Sequence, residues 1–351
     1  MKRLFSSVIL SSLLLCACGS AIEDNGRDDG GTLLVNLDIS VSLSDIAGAS
    51  TKAGEYEEAE NDNEKMNSLR VVIVRPDWTV EANRLINLVS AGTDYRIAEP
   101  FKVTGNEKKW IYLFVNESTT VYSGPDNTGR RLVEYDLGTI QVGSQFPAGA
   151  IEGLKIRLEE NTEQIKGPLP MSERHEYFVS REPEQSCRLF VTRAAVKFTF
   201  HIINKNSSEI ILNKLAMNRM AHIEWFMPRA EYSLDESGLR KITDYEVPAD
   251  AGYYAYENVS GVTVPGNGET VLEPVYLLEG KYTDENSEGR NYSIAITLDN
   301  IEHEHYFPDL QTLPRNTHVV VNITYDEKAE TDCAVDVIPY SEVVLEPGFG
   351  L

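Results

Sequence analysis

The chain has 351 residues, 42% of them hydrophobic, so it can bury sizeable cores and is no disordered polymer. It carries 32 basic and 55 acidic residues, a formal charge of −23 at pH 7. That balance argues against nucleic-acid binding and against lying flat on anionic lipid, and its even spread reads as solubility rather than a metal store.

The first twenty residues carry an export signal. Lys2 and Arg3 supply a charged start, and Val8–Leu15 an apolar run too short to cross a bilayer of roughly 30 Å. Leu15-Cys16-Ala17-Cys18 fits a bacterial lipobox, with an apolar residue at −3 and a small one at −1. Residues 1–17 therefore read as a lipoprotein signal peptide and Cys18 as the acylated residue. Cys16 is a poorer acceptor, because Leu15 would then occupy −1. Gly19-Ser20 and the acids Glu23, Asp24, Asp28 and Asp29 read as a solvated tether.

Residues 33–43 read LLVNLDISVSL. Val35, Leu37, Ile39, Val41 and Leu43 alternate with polar residues, which predicts a strand with one buried face. Residues 44–68 read as a polar connector, its acids from Glu55 to Glu64 repelling one another. Leu69–Val74 predicts a second strand, and Trp110–Val115 a third, buried on both faces. Residues 159–188, with Pro168, Pro170 and Pro183, read as a further polar stretch. Beyond it, Val196–Ile202 predicts a strand with Val196, Phe198, Phe200 and Ile202 facing in and Lys197, Thr199 and His201 facing out. Ser207–Met220 fits a helix by propensity, but Ile210-Ile211-Leu212 fits a strand at least as well. Later strands are expected at Tyr253–Tyr256, Val271–Leu278, Tyr292–Leu298, Val319–Tyr325 and Val335–Ile338. Turn signals lie at Gly124–Asn127, Pro265–Gly268 and Asn286–Gly289.

Many strands with few helical patterns predict a mainly β chain: two β-sandwich domains in tandem with few short helices. The expected division is an N-terminal sandwich over residues 53–188, completed by the strand at 33–43, and a C-terminal one over 189–351.

No catalytic signature stands out, so no enzymatic activity and no cofactor are expected. His303-Glu304-His305 on a strand would put two imidazoles on one face, as zinc could use. No spacing marks a third ligand, and solvated hairpin histidines are the plainer reading, so no metal site is assigned. Tyr253-Tyr254-Ala255-Tyr256 could be a sugar platform, but aromatic residues on a strand more often pack in a core. Asn-X-Ser/Thr triplets at Asn116, Asn206, Asn258, Asn291 and Asn322 read as chance in a bacterial lipoprotein. Cys187 and Cys333 could form a disulfide outside the cytoplasm, but two cysteines are not a framework.

Several local patterns, in order, resemble one family across essentially the whole chain. The leader and alternating strand are followed by a loop holding Ser50-Thr51-Lys52-Ala53-Gly54 and then by Asn63–Val74. Trp110–Asn116 resembles that family's strand ending in Asn, and Arg193–Phe198 the opening of its second domain. Val337–Tyr340 and Glu346–Leu351 resemble its C-terminus. Each motif alone is weak. Together they resemble the fimbrillin family of Bacteroidetes, the fimbrial subunits of FimA and Mfa type.

The resemblance implies a route. Such precursors travel as outer-membrane lipoproteins, and a surface trypsin-like protease cuts after a basic residue in the loop behind the first strand. Here that position is Lys52, before Ala53. The familiar specificity is for Arg, so a Lys-tolerant protease is required. Arg27 precedes the strand, and Arg70 falls inside a strand. Residues 18–52 then form a removable tether and strand carrying Val35, Leu37, Ile39, Val41 and Leu43. Losing them would leave a groove and unpaired sheet edges, a template for a strand from another subunit. The candidate donor lies within residues 333–351 and offers Val335, Val337, Val343 and Leu345. The implied destination is an extracellular fimbrium built with other fimbrial subunits, after a stage anchored to the outer membrane. The competing reading is an uncleaved lipoprotein serving as fimbrial anchor or tip, or as a glycan-binding adhesin.

Overall fold

The computed structural model describes residues 33–44, 62–123, 128–131, 133–234, 240–258, 261–281, 292–307, 310–327 and 332–339. The chain opens with β1 (Leu34–Leu43), β2 (Met66–Val74), β3 (Val80–Gly92), β4 (Asp94–Arg96), β5 (Phe101–Thr104) and β6 (Glu107–Val115). A hairpin follows, β7 (Thr120–Ser123) and β8 (Thr128–Arg131), then a short helix α1 (Ala148–Glu152) and β9 (Lys155–Arg157). β10 (Met171–Val179) and β11 (Glu184–Arg193) complete an eight-stranded sheet in the order β3-β2-β6-β10-β11-β1-β4, with β5 also on β1. β10 and β11 pair through only Met171↔Arg193 and Ser172↔Thr192, which makes a corner between two layers. One core takes the in-facing residues of β1 on one side and those of β2 and β6 on the other.

The second half begins with β12 (Val196–Asn204), β13 (Ile210–Ala221), β14 (Ile223–Trp225), β15 (Ala230–Leu234) and β16 (Arg240–Tyr245). It continues with β17 (Tyr253–Asn258), β18 (Val262–Val264), β19 (Gly268–Val271), β20 (Val275–Leu277) and β21 (Gly280–Lys281). It ends with β22 (Ser293–Leu298), β23 (Ile301–Tyr306), β24 (Thr312–Leu313), β25 (Thr317–Tyr325) and β26 (Asp332–Pro339). Two five-stranded sheets result, β19-β12-β25-β26 with β20 on β12, and β17-β13-β22-β23 with β18 on β13. Phe198, Phe200, Val319 and Val321 of one sheet and Met217, Ile294 and Ile296 of the other are buried in the core, as period-two patterning requires.

The mainly β expectation holds, with local departures. Ser207–Met220 resolves as strand: β13 pairs with both β17 and β22, and that ladder outweighs helix propensity. The strand expected over Val271–Leu278 is two strands, β19 and β20, which take successive parts of β12. The stretch 159–188 is not merely polar connector, because it contributes β10 and the first half of β11. The expected division at 188/189 falls inside β11, whose ladder with β1 runs through Val191. Lys197 does not face solvent. It is 1% exposed and lies 3.3 Å from the Glu64 carboxylate. That end of β12 is covered by the first half of the chain, which supplies the counter-charge a buried ammonium needs.

The two halves interlock. β9 of the first pairs with β14 of the second. Glu64 accepts from the Tyr276 hydroxyl, and its carbonyl accepts from Arg193 Nε at 3.0 Å. Ser172 Oγ of the first half donates to the Phe226 carbonyl at 2.6 Å, and within the second half Arg315 donates to the Glu279 carboxylate at 2.6 Å and to the carbonyls of Phe226 and Trp225. Burial pushes the Glu224 carboxyl up to about 8, against the pull of the Arg315 guanidinium.

Candidate functional site: the slot of the first strand

Alternation puts Val35, Leu37, Ile39, Val41 and Leu43 into the core, all at 2% exposure or less. Asn36, Asp38 and Ser40 on the opposite face are half-buried, and Ser42 is buried. β1 is an interior strand. On one side it runs parallel to β11, from Asn36↔Glu184 to Leu43↔Val191. On the other it lies antiparallel to β5 (Leu34↔Thr104 to Leu37↔Phe101) and to β4 (Ser40↔Arg96 to Ser42↔Asp94). Asn36 N donates to Pro183 O at 2.8 Å, Gly105 N to Leu33 O at 2.7 Å and Ile97 N to Ile39 O at 3.0 Å. Asn36 Nδ2 reaches Glu184 Oε1 at 2.7 Å. At the entry of the slot, a Cβ on Gly105 would stand 2.7 Å from Ser180 O and 2.9 Å from Val35 Cγ1. Only glycine lets the β5–β6 turn approach the strand so closely.

Burying one such side chain is worth about 1.5–3 kcal/mol. The five together are worth about 8–15 kcal/mol, as much as the whole stability of an ordinary domain. Taking β1 away would also strip the ladders of β11 and β5. An empty slot is therefore a strong acceptor for any strand of matching alternation.

The chain leaves the slot under control. Ser44 N donates to Val191 O at 2.8 Å. Just before β2, Glu64 anchors the chain against the second half through Lys197 and Tyr276. Cys18, Lys52 and Ala53 lie outside the described residues, as do Val343 and Leu345 and the turn signals at Gly124–Asn127 and Asn286–Gly289. Arg70 is 7% exposed, held by Glu117 at 2.7 and 2.8 Å and by Asn83, so it is closed to a protease in the folded chain.

The candidate donor positions Val335 and Val337 fall on β26, opposite Val321 and Val319 of β25. β26 ends the β19-β12-β25-β26 sheet, paired on one side only among the described residues. Cys187 is a free, buried thiol whose register partner on β1 is Ile39, and burial pushes it up to about 12. The side chain of Cys333 lies outside the described residues.

Other candidates fall to packing. Tyr254 and Tyr256 are core residues, so the aromatic run offers no open platform. His303 and His305 do share a face of β23, both half-buried, and His303 lies edge-on to Tyr325 at 6.0 Å. No metal-ligating cluster of three occurs among the described residues. Asn116 is structural. With φ of 54°, it accepts from Asn67 N at 2.9 Å and donates to Lys65 O and Leu169 O. Sequence reading missed β4, β5 and β11 as the walls of the slot. The alternation of Cys187, Leu189 and Val191 was a signal for β11.

The arrangement defines a class: a tandem β-sandwich chain whose N-terminal strand fills an interior slot. By sequence, no family model matches this chain and no curated protein matches it. Among solved structures it is similar to a candidate cell adhesion protein from Parabacteroides distasonis, at 15% identity and a TM-score of 0.53, covering 88% of this chain and 98% of that one. It is also similar to the tip fimbrial protein Mfa3 from Porphyromonas gingivalis, at 11% identity and a TM-score of 0.54, covering 88% and 100%. The chain thus shares the fold of Bacteroidetes fimbrial and cell-adhesion proteins, and the fimbrillin resemblance is met at the level of fold.

Proposed function

We propose that this protein is a structural subunit of a surface fimbrium serving cell adhesion, with no catalytic role. It is exported as a lipoprotein acylated at Cys18 and reaches the outer membrane. A surface trypsin-like protease then cuts between Lys52 and Ala53. Subunits polymerise by donor-strand exchange, a strand from a neighbouring subunit replacing β1. The observation that carries this reading is the interior position of β1, with five side chains in the core. Lys52 is the one basic residue between Ser44 and Asp62, so the loop offers a single cut for such a protease. That cut removes 4 basic and 6 acidic residues, leaving 28 and 49 and a formal charge of −21. The fold shared with a tip fimbrial protein and a candidate adhesion protein supports the reading.

A second reading is an uncleaved lipoprotein acting as anchor or tip. One feature favours it: the candidate donor β26 is already paired in its own molecule. Lys52→Ala separates the two. Under the first reading the variant stays lipid-labelled and the denaturant-resistant ladder of oligomers is lost. An unchanged ladder in the variant supports the second and sinks the first.

A further inference from the structure

One end of the first sandwich gathers two acids around a buried amine. Lys109, near the start of β6, is fully buried on the face that carries the buried Ile111. Its amine touches two carboxylates: Glu81 Oε2 from β3, and Glu107 Oε1 from its own strand at 2.6 Å. The two acids are held differently. Arg75 donates to Glu107 from Nε at 2.9 Å and from a second nitrogen at 3.3 Å. Against the penalty of burial, hydrogen bonds from Arg75 and Lys109 hold the Glu107 carboxyl below its usual range, so it remains an anion. Glu81 meets the amine through Oε2, while its Oε1 accepts the Thr104 backbone N–H at 2.6 Å.

A buried ion pair does little for stability, because withdrawing two charges from water costs about what their attraction returns. Condensation of the pair would remove both charges from the buried site. The groups it needs are in place. Amine and carboxyl are fixed in contact by paired strands, which corresponds to an effective concentration of about 10⁵ M or more. The Thr104 N–H points at an acyl oxygen, where a tetrahedral intermediate gathers negative charge. Glu107 is an anion against the amine and can take its proton.

We propose that Lys109 and Glu81 join in an intramolecular amide, with Glu107 as proton relay. The Lys109 ammonium gives one proton to Glu107, and the free amine attacks Glu81 Cδ. The Nζ–Cδ bond forms and the Cδ–Oε2 bond breaks. The departing oxygen takes the proton held by Glu107 and a second from Nζ, and leaves as water. One proton stays on the amide nitrogen, and nothing is oxidised or reduced. The bond ties β3, an edge strand laddered to β2, directly to β6 on the far side of β2. It needs neither cleavage nor strand exchange, so it forms in the unprocessed chain.

The test is the intact mass, after reduction and denaturation, of the chain beginning at Gly19. The expected mass is that of the sequence less one water, and proteolysis should release a branched peptide joining the Glu81 and Lys109 segments. Lys109→Arg and Glu81→Ala should each keep the full sequence mass. Glu107→Gln should fold, with a cooperative melt, but lose water about 100-fold more slowly after refolding. A folded parent chain at full sequence mass overturns the proposal. So does a branch from Lys109 to a carboxyl other than Glu81, or the same water loss in Lys109→Arg. Water loss at the parental rate in Glu107→Gln overturns the relay.

Discussion

Ile39→Asp is the sharpest perturbation of the β1 slot. Ile39 is fully buried at the middle of the strand, opposite Cys187. Removing its side chain from the core forfeits roughly 2–3 kcal/mol. A carboxylate with no partner there adds a further few kcal/mol. The total, at least about 4 kcal/mol, lies at the extreme of single-residue effects. With a urea dependence of about 2 kcal/mol per M, the first unfolding transition should fall by about 2 M. Cys187 reports on the slot directly. In a chain beginning at Gly19 with Cys333→Ser it is the one thiol, and its burial and raised thiol value keep it unreactive toward a disulfide reagent. In Ile39→Asp it should react within minutes under native conditions. The control is Ser40→Asp, on the half-buried face of the same strand, which should shift the midpoint far less. An Ile39→Asp variant with parental stability and a protected Cys187 would refute the argument that β1 closes the first core.

Further outcomes follow from other contacts. Gly105→Val should destabilise the first sandwich by about 1–3 kcal/mol through overpacking against Ser180 O and Val35, measured by urea midpoint; a neutral effect would mean that the turn relaxes freely. Asn116→Ala removes hydrogen bonds to backbone groups of Lys65, Asn67 and Leu169 at a positive φ, and should cost about 2–4 kcal/mol; a thermal melt within a degree of parent would count against this clamp. The raised Glu224 carboxyl sets a pH dependence. Its folded value of about 8 exceeds that of the unfolded chain, so its stability contribution is intact near pH 4 and falls as pH rises toward 8, then levels off. Glu224→Gln lacks that loss, so its advantage over parent should grow from pH 5 to pH 8. Parallel melting curves across that range would contradict the assignment.

Legibility tracked how local the physics was. β1 was readable because five alternating apolar residues make a period-two signal that no helix shares. The continuous apolar run of β6 likewise announced its burial, and Tyr112 to Val115 are all fully buried. What sequence could not supply was partnership. Asn36 meets Glu184 across 148 residues, and a parallel pairing of that span has no local mark. β11 was obscured by Pro183 and by exposed polar residues, although its apolar positions alternate. The outward side of β12 read as solvent-facing because alternation reports two faces and not what covers each. Glu64, in an acidic run, gave no hint of a burial that depends on Lys197 and Tyr276 far along the chain.

The most direct test of the central claim is the N-terminal sequence of protein sheared from cells and recovered as polymer. Strand replacement predicts a start at Ala53, with no peptide from Cys18 to Lys52 in the assembled material. Polymer that begins at acylated Cys18, with β1 still present, would contradict it.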